Sequence, residues 1–170
     1  MCIVCFSLIA SVGCNKGQDK QAGEKVTGDQ DEVLVRINKY LLQKDIELIE
    51  SYAQRRDWDV TQSQTGLFYE IYQRGEGDSV KAGNEVTINY VLSLLDGTIC
   101  YSSEQSGPKT FTLGHSREES GLEQGLLMMR VGDKAHLILP PHLAHGLLGD
   151  ENMIPARSVI VYDVEVLEAE

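Results

Sequence analysis

The chain has 170 residues, of which 42% are hydrophobic, and it carries a formal net charge of -11. A chain of this length accommodates one ordinary domain of about 100 to 150 residues with short additions. The negative charge argues against nucleic acid as a partner, because nucleic-acid binding needs Lys and Arg to neutralise the phosphates.

The N-terminal segment, residues 1–13, reads MCIVCFSLIASVG and contains no charged residue. It is shorter than the roughly 20 apolar residues that span a bilayer, and it ends in small residues as a secretory signal does. The stretch ASVGC resembles a bacterial lipobox, in which Cys14 would carry lipid and become the first residue of the mature chain. This resemblance implies a lipoprotein anchored in the cell envelope and facing the periplasm or the exterior. The alternative is a buried N-terminal strand, which the polar stretch that follows disfavours.

Two segments of different character come next. Residues 14–30 offer almost nothing to bury, which predicts a flexible tether. Residues 31–57 begin with acidic residues, contain apolar residues at helical spacing and approach their end with Arg55 and Arg56, a pattern that predicts a helix. The apolar band of this helix either docks on the downstream domain or pairs with a second copy of the chain to form a homodimer. The sequence leaves both alternatives open.

In residues 58–170 the hydrophobic period switches to two, which indicates β-strands. Strands are predicted in GLFYEIYQRG, on both sides of the DG turn in NEVTINYVLSLLDGTICYSS, and in KTFTLG, KAHLILPP and SVIVYDVEVLEAE. The stretch SGLEQGLLMMRVGD predicts a short helix laid against the sheet. Strands joined by short turns, with one short helix, make an antiparallel α+β domain.

The stretch GDKAHLILPPHLAHG places His142 and His145 three residues apart. This pair could be a metal site, a catalytic pair or the rim of a pocket. An H-x-x-H pattern without a further placed ligand is a weak metal signal, so we expect the rim, with no metal and no cofactor. His115 and His136 are most simply surface or strand positions. Cys100 is most simply a small buried hydrophobic residue.

Residues 66–168 resemble the FKBP-type peptidyl-prolyl cis-trans isomerases through several ordered motifs. These are VTINYVLSLLDGTICYSS, FTLG, GLEQGLLMMRVGDKAHLILPP and MIPARSVIVYDVEVLE. The resemblance implies a curved antiparallel sheet wrapped around a short helix. The upstream helix and the lipobox are similar to a lipoprotein subgroup of this family in Bacteroidetes-type bacteria, some of them associated with gliding motility.

The resemblance also implies a set of site residues. Tyr90 matches a wall of the family's pocket, Phe111 matches a pocket Phe, and Tyr162 stands where the family has Phe. Ile154 matches a position whose backbone N–H receives a carbonyl of the bound peptide, and His145 replaces the usual Tyr hydroxyl donor. For each of these residues the alternative is simple core packing.

Other positions depart from the family pattern. Tyr101 stands where active members have Asp, and Leu122 replaces the Trp on the pocket floor. Glu118 and Glu119 replace apolar residues before the short helix, and Lys109 replaces an aromatic residue. These differences predict reduced activity.

The chemistry that the family implies needs no ionic machinery. An X-Pro bond isomerises over a barrier of about 18–20 kcal/mol that owes its height to amide resonance. A dry, apolar site disfavours the charge-separated planar amide and so favours the twisted one. We therefore expect an apolar groove sized for one prolyl ring, without charged groups inside, that acts on proline-containing unfolded or exported proteins. The alternatives are a non-catalytic binding module or chaperone of the envelope, and a scaffold that dimerises through the helix.

Overall fold

The computed structural model describes residues 24–170. The predicted signal segment 1–13 and the predicted lipid-bearing Cys14 lie outside the described residues. The chain divides into two units, one ending at Tyr40 and the other spanning Leu41–Glu170. The second unit holds the sheet, its covering helices and the candidate site, and it also takes in the C-terminal part of the N-terminal helix.

The N-terminal helix, α1, spans Glu24–Gln54. It begins inside the segment 14–30 that was predicted to be a flexible tether, so that prediction is wrong for residues 24–30. The physical reason is that extending an established helix by one residue costs far less than starting one. The helix ends where Asp57 takes a left-handed φ of 58°. The N–H of Trp58 then donates to the Ala53 carbonyl at 3.1 Å, which closes the helix end as a C-cap.

The sheet contains seven antiparallel strands in the order β1-β2-β6-β7-β3-β4, with β5 paired to β3. The strands are β1 Thr61–Gln62, β2 Phe68–Gln73, β3 Glu85–Leu94, β4 Ile99–Ser102, β5 Lys109–Thr112, β6 Lys134–Leu139 and β7 Ile160–Ala169. Two short helices accompany them, α2 Ser103–Ser106 and α3 Ser120–Leu126. The predicted antiparallel α+β fold with a short helix against the sheet is confirmed.

One face of the sheet packs against α3, and we call it the α3 face. It is built from alternate strand residues, including Ile88 and Tyr90 on β3 and Tyr162 on β7. The short helix sits close to β6 because of its glycines. A Cβ added at Gly125 would lie 2.4 Å from a methyl carbon of Leu137, so the helix could not approach as closely with any larger residue.

The opposite face, which we call the α1 face, packs against the C-terminal part of α1. Within the unit Leu41–Glu170, Ile49 and Tyr52 lie in one buried cluster with Phe68, Ile138 and Val161. For this part of the helix the structure therefore answers the question that the sequence left open, because the helix docks on its own sheet.

Candidate functional site

A cavity of about 280 Å³ opens on the α3 face, and we call it the cleft. Strands β3, β4, β5 and β7 and the loops before α3 and after β6 all contribute to it. Its walls are formed by aromatic, aliphatic and charged side chains together: Tyr90, Leu92, Tyr101, Lys109, Arg117, Glu118, Glu119, His145 and Tyr162. Four predicted site residues, Tyr90, Tyr101, His145 and Tyr162, therefore meet in one cavity.

The aromatic pair of the cleft comes from two neighbouring strands. Leu92 on β3 pairs with Tyr162 on β7, so Tyr90, two residues along on the same face, brings its ring next to that of Tyr162. The two ring centroids lie 5.9 Å apart with planes tilted by 47°. Both side chains are buried, and this tilted arrangement is one that aromatic pairs favour.

Glu119 joins this aromatic pair to the loop after β6. The Tyr162 hydroxyl donates to Glu119 Oε2 at 2.9 Å, and His145 Nε2 lies 2.8 Å from Glu119 Oε1. The His145 contact is close in distance but not aligned as a hydrogen bond. Nε2 is therefore a buried polar atom without a hydrogen-bond partner among the described residues. Burial, and after it the charge of Glu119, raises the pKa of Tyr162 well above its ordinary value, which keeps the phenol protonated as a donor.

An ion pair stands at the edge of the cleft. Lys109 Nζ lies 2.7 Å from Glu118 Oε2 and 5.3 Å from the centroid of the Tyr90 ring. Burial alone would lower the pKa of Lys109, but the hydrogen bond and charge of Glu118 outweigh it, so the pKa is raised and the amine stays charged.

These contacts correct one expectation from the sequence. The cleft was predicted to be apolar and free of charged groups, yet Lys109, Glu118 and Glu119 all line it. The charges are tolerated because each has a partner: Lys109 is bonded to Glu118, and Glu119 is bonded to Tyr162. Partly buried charges persist where hydrogen bonds and opposite charges compensate them.

A carboxylate that the sequence analysis did not identify belongs to Asp150, on the loop between β6 and β7. The Tyr101 hydroxyl donates to Asp150 Oδ2, and the backbone N–H of Asn152 donates to Asp150 Oδ1 at 3.0 Å. Burial would raise the pKa of Asp150, but these hydrogen bonds outweigh it and hold the pKa below its usual value. An acid is thus present beside Tyr101, although it comes from a position 49 residues further along the chain.

The same carboxylate changes the expectation for Ile154. The resemblance implied that the Ile154 N–H receives a peptide carbonyl, but this N–H donates to Asp150 Oδ1 at 2.7 Å. It is therefore engaged within the chain. The Ile154 side chain is buried in the core behind the cleft.

The remaining predicted site residues lie behind the cleft rather than on its wall. Leu122, near the start of α3, is fully buried in the core of the α3 face. Phe111 lies on β5 opposite Val86 of β3 and is half-buried against the same core. The structure thus places Leu122 in the core of the α3 face and Phe111 against it.

The histidines contact separate groups. His142 Nε2 lies 2.9 Å from the Thr65 carbonyl oxygen, whereas His145 faces Glu119. His136 is on the α1 face, where its ring stacks on Trp58 with a centroid distance of 3.6 Å. Among residues 24–170, no group of three or more His, Cys, Asp or Glu side chains is placed to hold a metal ion.

Cys100 is buried beside the cleft. Burial, and after it the charges of Asp150 and Asp96, raises the pKa of its thiol, so the side chain remains uncharged at neutral pH. This is the behaviour of a small buried hydrophobic residue.

Comparison with known proteins gives consistent matches. A sequence profile of the FKBP-type peptidyl-prolyl cis-trans isomerases matches residues 77–167. The FKBP-type peptidyl-prolyl cis-trans isomerase FkpA of Buchnera aphidicola is 38% identical over 110 residues, which cover 64% of this chain and 43% of that protein. FK506-binding protein 2 of Yarrowia lipolytica is 36% identical over 105 residues, covering 61% of this chain and 73% of that protein.

Two solved structures share the fold. The crystal structure of FkpA from Escherichia coli aligns with a TM-score of 0.63 and 27% identity, over 91% of this chain and 74% of that one. The crystal structure of AtFKBP13 aligns with a TM-score of 0.62 and 29% identity, over 66% of this chain and 99% of that one.

Proposed function

Because this chain belongs to the FKBP-type peptidyl-prolyl cis-trans isomerase family, we propose that it accelerates the cis-trans isomerisation of X-Pro bonds in the cleft. The observation that carries the proposal is the buried pair of Tyr90 and Tyr162 with His145 at the cavity wall. The chain spans 43% and 45% of the lengths of two bacterial relatives. That it shares the activity and the clients of those proteins is therefore a proposal.

In the proposed mechanism the prolyl ring lies against the two tyrosine rings. Removing the prolyl amide from water disfavours its charge-separated planar form, while the twisted amide, which has lost resonance, is disfavoured less. His145 Nε2 is buried and lacks an aligned partner among the described residues, and in this mechanism the side chain turns to donate to a carbonyl that flanks the proline.

We propose further that the activity is lower than an all-apolar cleft would give. The Lys109–Glu118 pair and Glu119 keep polar atoms at the cavity wall, so the bound amide is less completely desolvated. The smaller Leu122 supports this, because it offers less apolar contact in the core of the α3 face than the Trp that the resemblance implies there.

The test is the rate of cis-to-trans conversion of a short X-Pro peptide at micromolar protein. We expect acceleration by the wild type and a loss of about tenfold in Tyr90→Leu, which removes one of the two rings. Tyr72→Leu is the matched control, since Tyr72 donates to Asp163 and lies against His136 on the α1 face. An equal loss in both variants, or no acceleration by the wild type, would refute the proposed site.

A second candidate function is a non-catalytic binding module or chaperone. The observation that favours it is the exposure of Leu147 and Leu148, 76% and 79%, on the loop that follows His145. Adjacent exposed apolar side chains offer a surface for unfolded polypeptide. This function predicts that the protein suppresses aggregation of an unfolded client, and that Leu147→Ser with Leu148→Ser abolishes the suppression while peptide isomerisation is unchanged.

We propose that the protein is a lipoprotein of the cell envelope, facing the periplasm or the exterior, and that exported proteins are its clients. The support is the lipobox-like ASVGC at residues 10–14 and its resemblance to the Bacteroidetes-type subgroup. No helix within residues 24–170 is long and apolar enough to cross a membrane. Labelling with radioactive palmitate tests the anchor: Cys14→Ser should lose the label, and retained label would exclude Cys14 as the lipid site.

We also propose that a second copy of the chain pairs along the first part of α1. Residues 31–40 of the helix are exposed all round, and they include Leu34 and Ile37, one turn apart. Exposed apolar residues at this spacing suit helix pairing. Light scattering should give twice the monomer mass for the wild type and the monomer mass for Leu34→Asp with Ile37→Asp; equal masses would exclude this interface.

A further inference from the structure

An ion pair within the unit Leu41–Glu170 joins α1 to the loop between β6 and β7. Arg157 Nη2 donates to Asp45 Oδ2 at 2.6 Å across 112 positions of the chain. Asp45 is 7% exposed, and it is an acid on the half of α1 that docks on the sheet. A carboxylate in such a place is costly unless it is paired, so the contact with Arg157 is needed for α1 to sit where it does.

Arg157 also holds the base of the loop. Its backbone has a φ of 58°, a left-handed conformation that a long side chain rarely adopts and that persists only where surrounding contacts fix it. Its N–H donates to the Gly146 carbonyl at 3.0 Å, which ties the end of the loop back to its beginning. One residue therefore bonds to α1 through its side chain and closes the loop through its backbone.

The loop closed in this way adjoins one polar residue of the cleft wall, His145, and carries Asp150. His145, which faces Glu119, directly precedes Gly146. Asp150 and Ile154 lie within the loop and bond to each other, and Asp150 also accepts from Tyr101. A shift of the Gly146–Arg157 bond would move His145 relative to the aromatic pair.

We propose that Asp45 and Arg157 are positioning residues, which set the geometry of His145 and of the loop from α1 without contacting the substrate. The proposal rests on the isomerase function proposed above. It makes the docked part of α1 a component of the site, because the position of the helix affects the cleft through this partly buried bond.

The test compares two isosteric charge removals on the same helix. Asp45→Asn breaks the bond to Arg157. Glu47→Gln, two residues further along the helix, removes the exposed ion pair between Glu47 and Lys44. Hydrogen exchange is measured at the amides of Arg157 and Ile154 and compared with core amides of β7, and the catalytic rate on an X-Pro peptide is measured in parallel. Arg157→Lys is the conservative variant.

We expect Asp45→Asn to speed exchange at the Arg157 and Ile154 amides by about tenfold and to leave the β7 amides near their wild-type rates. The same variant should lower kcat/KM about fivefold. Glu47→Gln should change neither the exchange rates nor kcat/KM by more than about twofold. Arg157→Lys should give effects on both quantities that lie between those of the two charge removals. Uniform acceleration of all amides, or equal effects of the two charge removals, would overturn the proposal. If the wild type is not an isomerase, only the proposed function fails, and the exchange result still decides whether the pair positions the loop.

Discussion

The two faces of the sheet bury their side chains in different ways. On the α1 face, Ile49 and Tyr52 close over Phe68 and Ile138, and the result is a continuous apolar contact. On the α3 face, the short helix leaves part of the same sheet uncovered, and the cavity there keeps charged and hydroxyl groups on its wall. The sheet therefore has one face that is sealed for stability and one that remains open for a ligand.

The difference shows what allows polar groups to remain inside the cleft. Three charged groups in or beside the cleft have a partner from another segment of the chain: Glu119 has Tyr162, Lys109 has Glu118, and Asp150 has Tyr101. Paired groups lose little by partial burial, whereas a single unpaired charge on the α1 face would lose much more. Substitutions on the two faces should accordingly affect different properties of the protein.

The largest effect should come from opening the sealed face. Ile49→Ala removes a fully buried side chain and leaves a cavity between α1 and the sheet, which should lower the free energy of unfolding by about 2–5 kcal/mol. Leu48→Ala, on the exposed side of the same helix turn, should change it by less than about 0.5 kcal/mol. Urea denaturation measures both variants, and equal losses would mean that the helix does not seal the sheet as described.

A smaller effect, on activity rather than stability, should follow from making the cleft apolar. Lys109→Phe combined with Glu118→Val removes a charge pair as a unit and extends the apolar wall beside Tyr90. We expect kcat/KM on an X-Pro peptide to rise about fivefold, because the bound amide is then more completely desolvated. The single variant Glu118→Val is the control: it leaves Lys109 without its carboxylate and should not raise the rate. A folded double variant with unchanged or lower activity would contradict the role given to this pair.

The smallest effect should be the pH dependence of the loop bonds at Asp150. The folded-state pKa of Asp150 is lowered, so its contribution to stability is present above the unfolded pKa of about 3.9 and is lost as the pH falls through the lower folded value. The wild type should exceed Asp150→Asn in stability by at most about 1 kcal/mol at pH 6, because the site is partly exposed.

That difference should shrink as the pH falls below about 4. Thermal unfolding of the two proteins between pH 3 and pH 7 measures it. A difference that grows on acidification would have the wrong sign for a carboxylate with a lowered pKa.

Much of the fold could be predicted from the sequence because it rests on local periodicity. The alternation in EVTINYVLSL places Val86, Ile88 and Tyr90 on one face, as the burial of β3 confirms. The start of α1 at Glu24 could not be predicted, since residues 24–30 have no apolar pattern that would indicate a helix. The two-residue strand β1 and the four-residue helix α2 were missed because neither is long enough to show a period.

The site was predicted less completely, because its polar contacts join distant segments. The resemblance to the family named Tyr90, Tyr162 and His145 as site residues, and the structure places the three in one cavity. It gave no reason to connect Tyr101 with Asp150, which meet only after the loop between β6 and β7 folds back over β4. Glu119 was seen as a departure from the pattern, yet its bond to Tyr162 could be found only from the packing of α3 on the sheet.

The most direct measurement is NMR of the protein mixed with a short proline peptide. Exchange spectroscopy would follow the cis and trans signals of the peptide, and amide shifts would report where it binds. Our account predicts faster interconversion at substoichiometric protein, with shifts centred on Tyr90, His145 and Tyr162. Interconversion at the uncatalysed rate, or shifts confined to the α1 face, would contradict it.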